Sequence, residues 1–159
     1  MKLNLGCGND LKVGYKNLDL YNKTADVIHD LDKLPYPFKE NTFEEILAYN
    51  VLEHLLDPYK VLLELHRICK NDAIIKIIVP HFSGGNAWGN IQHKQAFNTF
   101  AFEQYYLKEH FNLRKLKITF PSRRFFMRWF ANKFKGFYDY NIANIFPADD
   151  IYVELEVKK

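Results

Sequence analysis

Two glycines and a carboxylate near the N-terminus have the residue types and the spacing of a nucleoside-binding site. A short apolar segment ends at Gly6-Cys7-Gly8, and a second one ends at Asp19, eleven residues after Gly8. Glycine lets backbone N–H groups approach a ligand closely, which a β-carbon would prevent. A carboxylate at the end of the neighbouring strand can accept hydrogen bonds from ribose hydroxyls. The third glycine of a dinucleotide fingerprint is missing, because Leu11 occupies that position.

Two histidines have the chemistry of a proton acceptor for a substrate hydroxyl or amine. His81 directly follows Pro80 at the end of an apolar segment, and His93 lies in the glycine-containing loop that follows it. An imidazole with a pKa near 6.5 suits this task at neutral pH. The alternative is that each is a structural loop residue. The His and Cys residues show no metal-ligand spacing, so we expect no metal site.

Strand and helix signals alternate through the middle of the chain, as in an open α/β sheet. Asp57-Pro58 predicts the start of a helix, because Asp caps helices and Pro is favoured at the first helical position. About nine residues separate the first two strands, which is too few for a crossover helix. We predict a Rossmann-like, open, mostly parallel sheet with an antiparallel C-terminal strand, its first crossover helix short or absent. The predicted strands are 2–5, 14–20, 26–29, 73–79, 113–120 and 151–157; residues 43–49 are expected to pass from helix into strand, and 97–106 to be helical.

Composition favours one soluble domain in a reducing compartment. The 159 residues can bury an ordinary core, and two cysteines without a disulfide framework are typical of the cytoplasm. No apolar segment approaches the length of a membrane span. The net charge is +3, yet residues 108–135 contain nine Lys or Arg and a single Glu, a local charge of +8. Such asymmetry indicates a basic surface for an anionic partner or substrate, or simply a solvated basic face.

The segment 123–138 combines basic and aromatic residues. On a helical wheel Arg124, Arg128, Asn132 and Lys135 form one stripe, and phenylalanines and Trp129 fill the rest. Such a helix can cover the substrate pocket or form a homodimer face through 122–147, which is the interpretation that we favour. It can also contact a membrane surface or nucleic acid.

Five short motifs in register resemble those of class I S-adenosylmethionine-dependent methyltransferases, in particular the small, type 11-like family. They are L-x-L-G-C-G at 3–8, D-L-x-x-L-P at 30–35, L-E-H at 52–54, E-x-x-R at 64–67 and V-P-H-F at 79–82. The resemblance covers residues 3 to about 82. The family often has a carboxylate where this chain has Asn4, and a first crossover helix where this chain has a loop.

The resemblance implies roles for specific residues. Gly6 and Gly8 would face the methionine moiety and the ribose through their backbone, Asp19 would hold the ribose hydroxyls, and Asp30 with the Leu31 N–H would bind adenine. Tyr49 and Asn50 would lie under the methionyl end. The expected cofactor site also includes Asn4, Cys7, Leu20 and His54. Asp19 and Asp30 could instead be turn residues.

The implied function is methyl transfer from S-adenosylmethionine, with S-adenosylhomocysteine as product, to an unidentified acceptor for which a small molecule is favoured. We expect 1–82 to bind the cofactor and 83–159 to form the substrate and lid half, with an aromatic-basic insertion at 122–147. The substrate pocket would lie between 81–95 and 123–138. Two alternatives stay open: a non-catalytic methyltransferase-like interaction domain, and a nucleic-acid methyltransferase.

Overall fold

Seven strands form one mixed sheet in the spatial order β3-β2-β1-β4-β5-β7-β6. The computed structural model describes the backbone of residues 1–159 and every side chain except that of Arg123. The five strands β1 to β5 run parallel, and β7 is antiparallel to both of its neighbours. The strands are β1 (Lys2–Leu5), β2 (Lys16–Asp19), β3 (Val27–Ile28), β4 (Phe43–Tyr49), β5 (Cys69–Pro80), β6 (Phe111–Ile118) and β7 (Asp150–Val157).

The predicted Rossmann-like sheet is confirmed, and so is the missing first crossover helix. The described backbone contains no helix between β1 and β4, whose strands are joined by turns and loops. The antiparallel strand β7 does not form an edge. It lies between β5 and β6 and pairs with both. Its alternating side chains Ile151, Val153, Leu155 and Val157 are all buried.

One crossover helix, α1 (Pro58–Ile68), joins β4 to β5. The Asp57 carboxylate caps it by accepting a hydrogen bond of 3.0 Å from the Lys60 N–H. Its apolar face, which includes Val61, Leu65 and Ile68, packs into the core. The predicted helix start is therefore confirmed.

Two local predictions were wrong. Residues 43–49 are strand throughout, because their backbone pairs with β1 on one side and β5 on the other. Residues 97–106 contain only the 3-10 turn Thr99–Phe102. The Thr99 N–H and hydroxyl both donate to the Asp139 carboxylate, at 2.9 and 2.6 Å, so tertiary hydrogen bonds hold this segment out of a regular helix.

The sheet has one largely buried face and one half-exposed face. Along β5 and β7, buried residues alternate with half-exposed ones such as Lys76, Tyr152 and Glu154. The half-exposed face carries ion pairs, among them Lys76–Glu45 at 2.6 Å and Lys115–Glu154 at 3.1 Å. The molecule thus has a dry core on one side of the sheet and a charged surface on the other.

The aromatic-basic segment lies beside the edge strand β6. It comprises α3 (Phe125–Lys133), the short α4 (Lys135–Phe137) and a π-turn (Tyr138–Ile142); the other short helix, α2 (Gly85–Gly89), lies in the loop after β5. The Asn132 side chain accepts from the Ile118 N–H and donates to the Ile118 carbonyl, at 2.9 and 2.8 Å. In the described part of the chain, no helix combines the length and the apolar character that a membrane crossing requires.

Candidate functional site

A cleft of about 600 Å³ opens at the carboxyl ends of β1, β2 and β4. Ligands bind at this edge of open α/β sheets, and the volume lies within the range of small-molecule sites. Its lining residues come from five separate segments of the chain: Gly6, Asp19, Leu20, Tyr21, Asp30, Leu31, Asp32, Asn50, Val51, His54, Leu55, Ile91, Gln92 and Lys94.

The glycine turn that ends β1 needs its glycines for two different reasons. Gly6 has a φ of +59° and Gly8 one of +49°, both in the left-handed region that favours glycine. A β-carbon on Gly6 would also lie 2.6 Å from Val51 Cγ2, whereas one on Gly8 would meet nothing within 4 Å. Gly6 is therefore constrained by packing against Val51 as well as by its backbone conformation.

Asp19 holds the same turn from β2. Its Oδ2 accepts from the Gly8 N–H at 2.8 Å, and its Oδ1 accepts from the Tyr21 and Asn22 N–H groups at 2.8 and 2.9 Å. Burial alone would raise the pKa of Asp19, but the backbone hydrogen bonds outweigh it and keep the pKa below its ordinary value. The side chain is thus a charged carboxylate at the cleft wall.

Asn4 lies beneath the loop and not in the cleft, which corrects its expected place in the cofactor site. Its Nδ2 donates to the Asp10 carbonyl at 2.8 Å and to Asn17 Oδ1 at 2.9 Å. Asn17 Oδ1 also accepts from the Lys12 N–H, and the Asn17 N–H donates to Asp26. These two amides fix the loop that takes the place of the first crossover helix.

The other end of the cleft is acidic and is bridged by a lysine. Asp30 and Leu31 follow β3, and Asp30 Oδ1 accepts from the Asp32 N–H at 3.1 Å. Lys94 Nζ reaches across to Asp32 Oδ2 at 3.2 Å. The loop after β5 is thereby connected to the loop after β3 over the mouth of the cleft.

A second cleft of about 440 Å³ adjoins the first and shares Asn50 and His54 with it. Asn50 has a φ of +54°, a conformation that Asn tolerates better than most residues. The lining is strongly polar and comprises Asn50, Glu53, His54, Pro80, Asn86, Gly89, Asn90, His93 and Asp150.

Glu53 is an unusual group in this second cleft. It is only 1% exposed, and neither of its carboxylate oxygens has a hydrogen-bond partner among the described residues. Burial raises the pKa of Glu53 to about 7. The rings of His54 and His93 stand edge to face with their centres 4.6 Å apart, and burial, with His93 close by, lowers the pKa of His54.

His81 is a structural residue, which corrects its expected catalytic place. It is fully buried, with Nδ1 2.8 Å from Ser83 Oγ and Nε2 3.0 Å from Asp139 Oδ1. Ser83 Oγ in turn accepts from the Ala148 N–H, so this line of Ser, His and Asp holds the C-terminal segment onto the end of β5. It borders neither cleft, and both ring nitrogens are engaged within the fold.

Seven of the eleven residues expected to bind the cofactor line the first cleft: Gly6, Asp19, Leu20, Asp30, Leu31, Asn50 and His54. Asn4, Cys7, Gly8 and Tyr49 do not, and the Cys7 N–H is already bonded to the Leu18 carbonyl at 3.0 Å. Sequence reasoning missed Lys94, Gln92 and Glu53. A signal was available for Glu53, through the L-E-H motif. None of the residues lining either cleft comes from 123–138.

Comparison with known proteins agrees with this geometry. Residues 10–77 match the family model of a methyltransferase domain, and no curated protein matches the chain. An S-adenosylmethionine-dependent methyltransferase from Archaeoglobus fulgidus has a TM-score of 0.66 at 14% identity, with 98% of this chain and 85% of that chain covered. One from Mesorhizobium loti gives 0.64 at 12% identity, with 98% and 89% covered. The [4+2]-cyclase SpnF gives 0.64 at 13% identity, with 99% and 75% covered.

The strand order and the cleft at the β1 and β2 ends define the class of protein, an α/β fold built to bind a nucleoside. At these identities the structural neighbours establish the fold alone, and SpnF is a cyclase on the same fold. The family match over residues 10–77 adds the chemistry that the fold leaves open. The match over residues 10–77 and the shared fold support a class I S-adenosylmethionine-dependent methyltransferase, with S-adenosylmethionine as the cofactor.

Proposed function

We propose that the protein methylates a small polar acceptor that binds in the second cleft. The observation that carries this proposal is the common wall of the two clefts, formed by Asn50 and His54. A donor in the first cleft and an acceptor in the second would meet at these residues. Positioning of this kind is what an in-line methyl transfer chiefly needs.

The first cleft suits the cofactor. Its volume is sufficient, Asp19 Oδ2 accepts a single protein hydrogen bond and retains capacity for a ribose hydroxyl, and Asp30 offers a carboxylate to the adenine amino group. Bound S-adenosylmethionine supplies an electrophilic methyl group. Asp19 therefore both shapes the glycine turn and holds the ribose, and Leu31 contributes a backbone N–H.

The second cleft suits an acceptor with hydroxyl or amine groups. Two imidazoles, a buried carboxylate and the amides of Asn86 and Asn90 line it, and more of its surface is polar than apolar. Its volume of about 440 Å³ accommodates a metabolite-sized molecule. Of the two histidines expected at the reaction, His93 is the one that lines this cleft, and we assign it to the contact with the acceptor.

The cofactor assignment is tested by calorimetric titration with S-adenosylmethionine and S-adenosylhomocysteine. We expect Asp19→Ala to weaken both affinities by at least about tenfold, because a hydrogen bond to a charged group contributes about 1.5–3 kcal/mol. Asp10→Ala is the matched control, since Asp10 belongs to the same loop but forms an exposed ion pair with Lys12. Absence of binding by the wild-type chain, or equal affinities in all three proteins, would overturn the assignment.

A further inference from the structure

Three metal-ligating side chains converge in the second cleft. Glu53, His54 and His93 each offer one ligand atom, and these atoms lie within 4.8 Å of one another. The spacing of the histidines in the chain gives no hint of this, because His93 comes from the loop after β5, 39 residues beyond His54. The fold produces the cluster.

The burial of the Glu53 carboxylate without a hydrogen-bond partner indicates that it binds a ligand. A carboxylate that is 1% exposed and has both oxygens unpartnered among the described residues loses its hydration without a compensating hydrogen bond. It lines the cleft beside His54 and His93. A cation held between the three groups would compensate the buried carboxylate.

The backbone of Glu53 also fixes the loop that carries His93. The Glu53 carbonyl accepts from the Lys94 N–H at 2.7 Å and from the Gln95 N–H at 3.2 Å. His93 Nδ1 lies 3.2 Å from the Ala87 carbonyl, so Nδ1 donates and Nε2 keeps its lone pair for a ligand bond. Orientation of a ligating imidazole by a backbone carbonyl is the usual support of a metal site.

We propose that Glu53, His54 and His93 bind a divalent transition-metal ion, with Zn²⁺ as the best match to two imidazoles and one carboxylate. Three protein ligands are typical of a catalytic zinc site, which keeps a position open. The open position would take an oxygen of the acceptor, so the acceptor class becomes molecules with a hydroxyl or carboxylate donor. This inference rests on the proposed acceptor cleft. In it His93 binds the metal ion, and the metal ion contacts the acceptor in place of the free imidazole.

The test measures metal binding by the whole chain without any acceptor. Titration with Zn²⁺, and the visible spectrum of the Co²⁺ form, should show one site per chain. The measurement is made in a His66→Ala/His110→Ala background, because those two rings lie 5.0 Å apart away from the cleft and could bind Zn²⁺ themselves. In that background Glu53→Gln and His93→Ala should each weaken Zn²⁺ by about 100-fold or more, since changes of supporting residues alone cost about 10–100-fold.

Cofactor affinity is measured in the same proteins to separate this inference from the proposed function. Retained S-adenosylmethionine binding with lost Zn²⁺ binding supports the metal site and shows that the variants are folded. Equal Zn²⁺ affinity in the background protein and both variants, or no binding by the background protein, overturns the site and leaves the cofactor assignment standing.

Three large aromatic side chains of α3 face solvent. Phe125 is 70% exposed, Phe126 56% and Trp129 67%, whereas Asn132 bonds to β6 and Arg124 Nη1 donates to the Pro147 carbonyl at 2.9 Å. Met127, Ala131 and Asn132 thus face the protein, whereas Arg128 is exposed together with the aromatic rings. Phe126 pairs with Phe146, and Phe130 of the same helix pairs with the exposed rings of Phe134 and Phe137.

The charged residues of the segment that carries this patch are all basic. Residues 123–138 contain five Lys or Arg and no acidic residue, and Lys133 Nζ lies 4.8 Å from the centre of the Trp129 ring. A second copy docked here about a twofold axis would bring like charges together. An apolar, aromatic surface surrounded by cations matches the interface of a bilayer with anionic headgroups.

We propose that α3 docks on an anionic membrane surface. Vesicles with about 30% phosphatidylglycerol should sediment the wild-type protein, and vesicles of phosphatidylcholine alone should not. Phe125→Ser/Trp129→Ser should reduce binding by about tenfold or more, whereas Tyr105→Ser, which removes another exposed aromatic ring, should not change it. Absence of binding to the anionic vesicles, retention on RNA in place of vesicles, or a dimer that the double variant dissociates would each overturn the proposal.

Discussion

The two glycines of the first turn differ in what they tolerate, although the sequence presents them as equivalent. Gly6→Ala places a β-carbon against Val51 and forces a left-handed conformation, and Gly8→Ala does only the latter. We expect Gly8→Ala to cost about 1–2 kcal/mol. Gly6→Ala should cost about 2–4 kcal/mol, because overpacking adds to the backbone strain. Urea unfolding of the two variants checks this ranking, and equal losses would contradict the packing argument.

At the level of residues, the motifs predicted those site positions that strand ends place in the cleft, such as Gly6, Asp19 and Asp30. They could not predict Lys94, because its partner Asp32 is 62 residues away and only the fold brings the two together. His81, expected at the reaction, lies outside both clefts for a related reason. Its position after Pro80 is compatible with an open strand end, but Asp139, 58 residues later, closes over it.

At the level of elements, hydrophobic periodicity predicted α1 and six of the seven strands. Tertiary contacts determine the conformation of the segment around Thr99 and the orientation of α3. The segment around Thr99 is bound to Asp139 and forms no regular helix. The polar stripe of α3 is compatible with a solvated face, yet Asn132 caps the backbone of an edge strand. A polar side chain faces inward where it satisfies backbone groups that would otherwise be unpaired, and a helical wheel does not contain that information.

The loop between β1 and β2 takes the place of the first crossover helix. Where a crossover helix would stand, Asn4 and Asn17 hold residues 10 to 12 by side-chain to backbone hydrogen bonds. Two neutral amides can both donate and accept, and they therefore pair with each other and with the loop. A carboxylate at position 4 could not donate to Asn17 Oδ1. The departure of Asn4 from the family pattern accordingly belongs to the shortened loop.

On the scale of the whole molecule, one face of the sheet carries a charged surface where open α/β sheets usually carry a second layer of helices. Parallel sheets are usually covered on both faces. Here Glu45 is bonded to Lys76, Lys2 and Tyr15, and its side chain is 16% exposed. Opposite charges on neighbouring strands satisfy the sheet surface that helices would otherwise have buried.

Glu45 makes this surface sensitive to acid. Burial alone would raise its pKa, but the hydrogen bonds and charges of Lys76, Tyr15 and Lys2 outweigh it and lower the pKa to about 2. A lowered folded-state pKa stabilises the fold above the unfolded value near 4.5, and that stability is lost as the pH falls from there towards 2.

Glu45→Gln should therefore reduce the free energy of unfolding at pH 7 by about 1–3 kcal/mol. The difference in the free energy of unfolding between the wild type and the variant, measured by urea titration, should become smaller below pH 4.5. Glu44→Gln, which changes an exposed neighbour paired with the N-terminus, should have a smaller effect. If the difference for Glu45→Gln stays constant from about pH 7 to about pH 3, the ionised Glu45 carboxylate does not stabilise the fold.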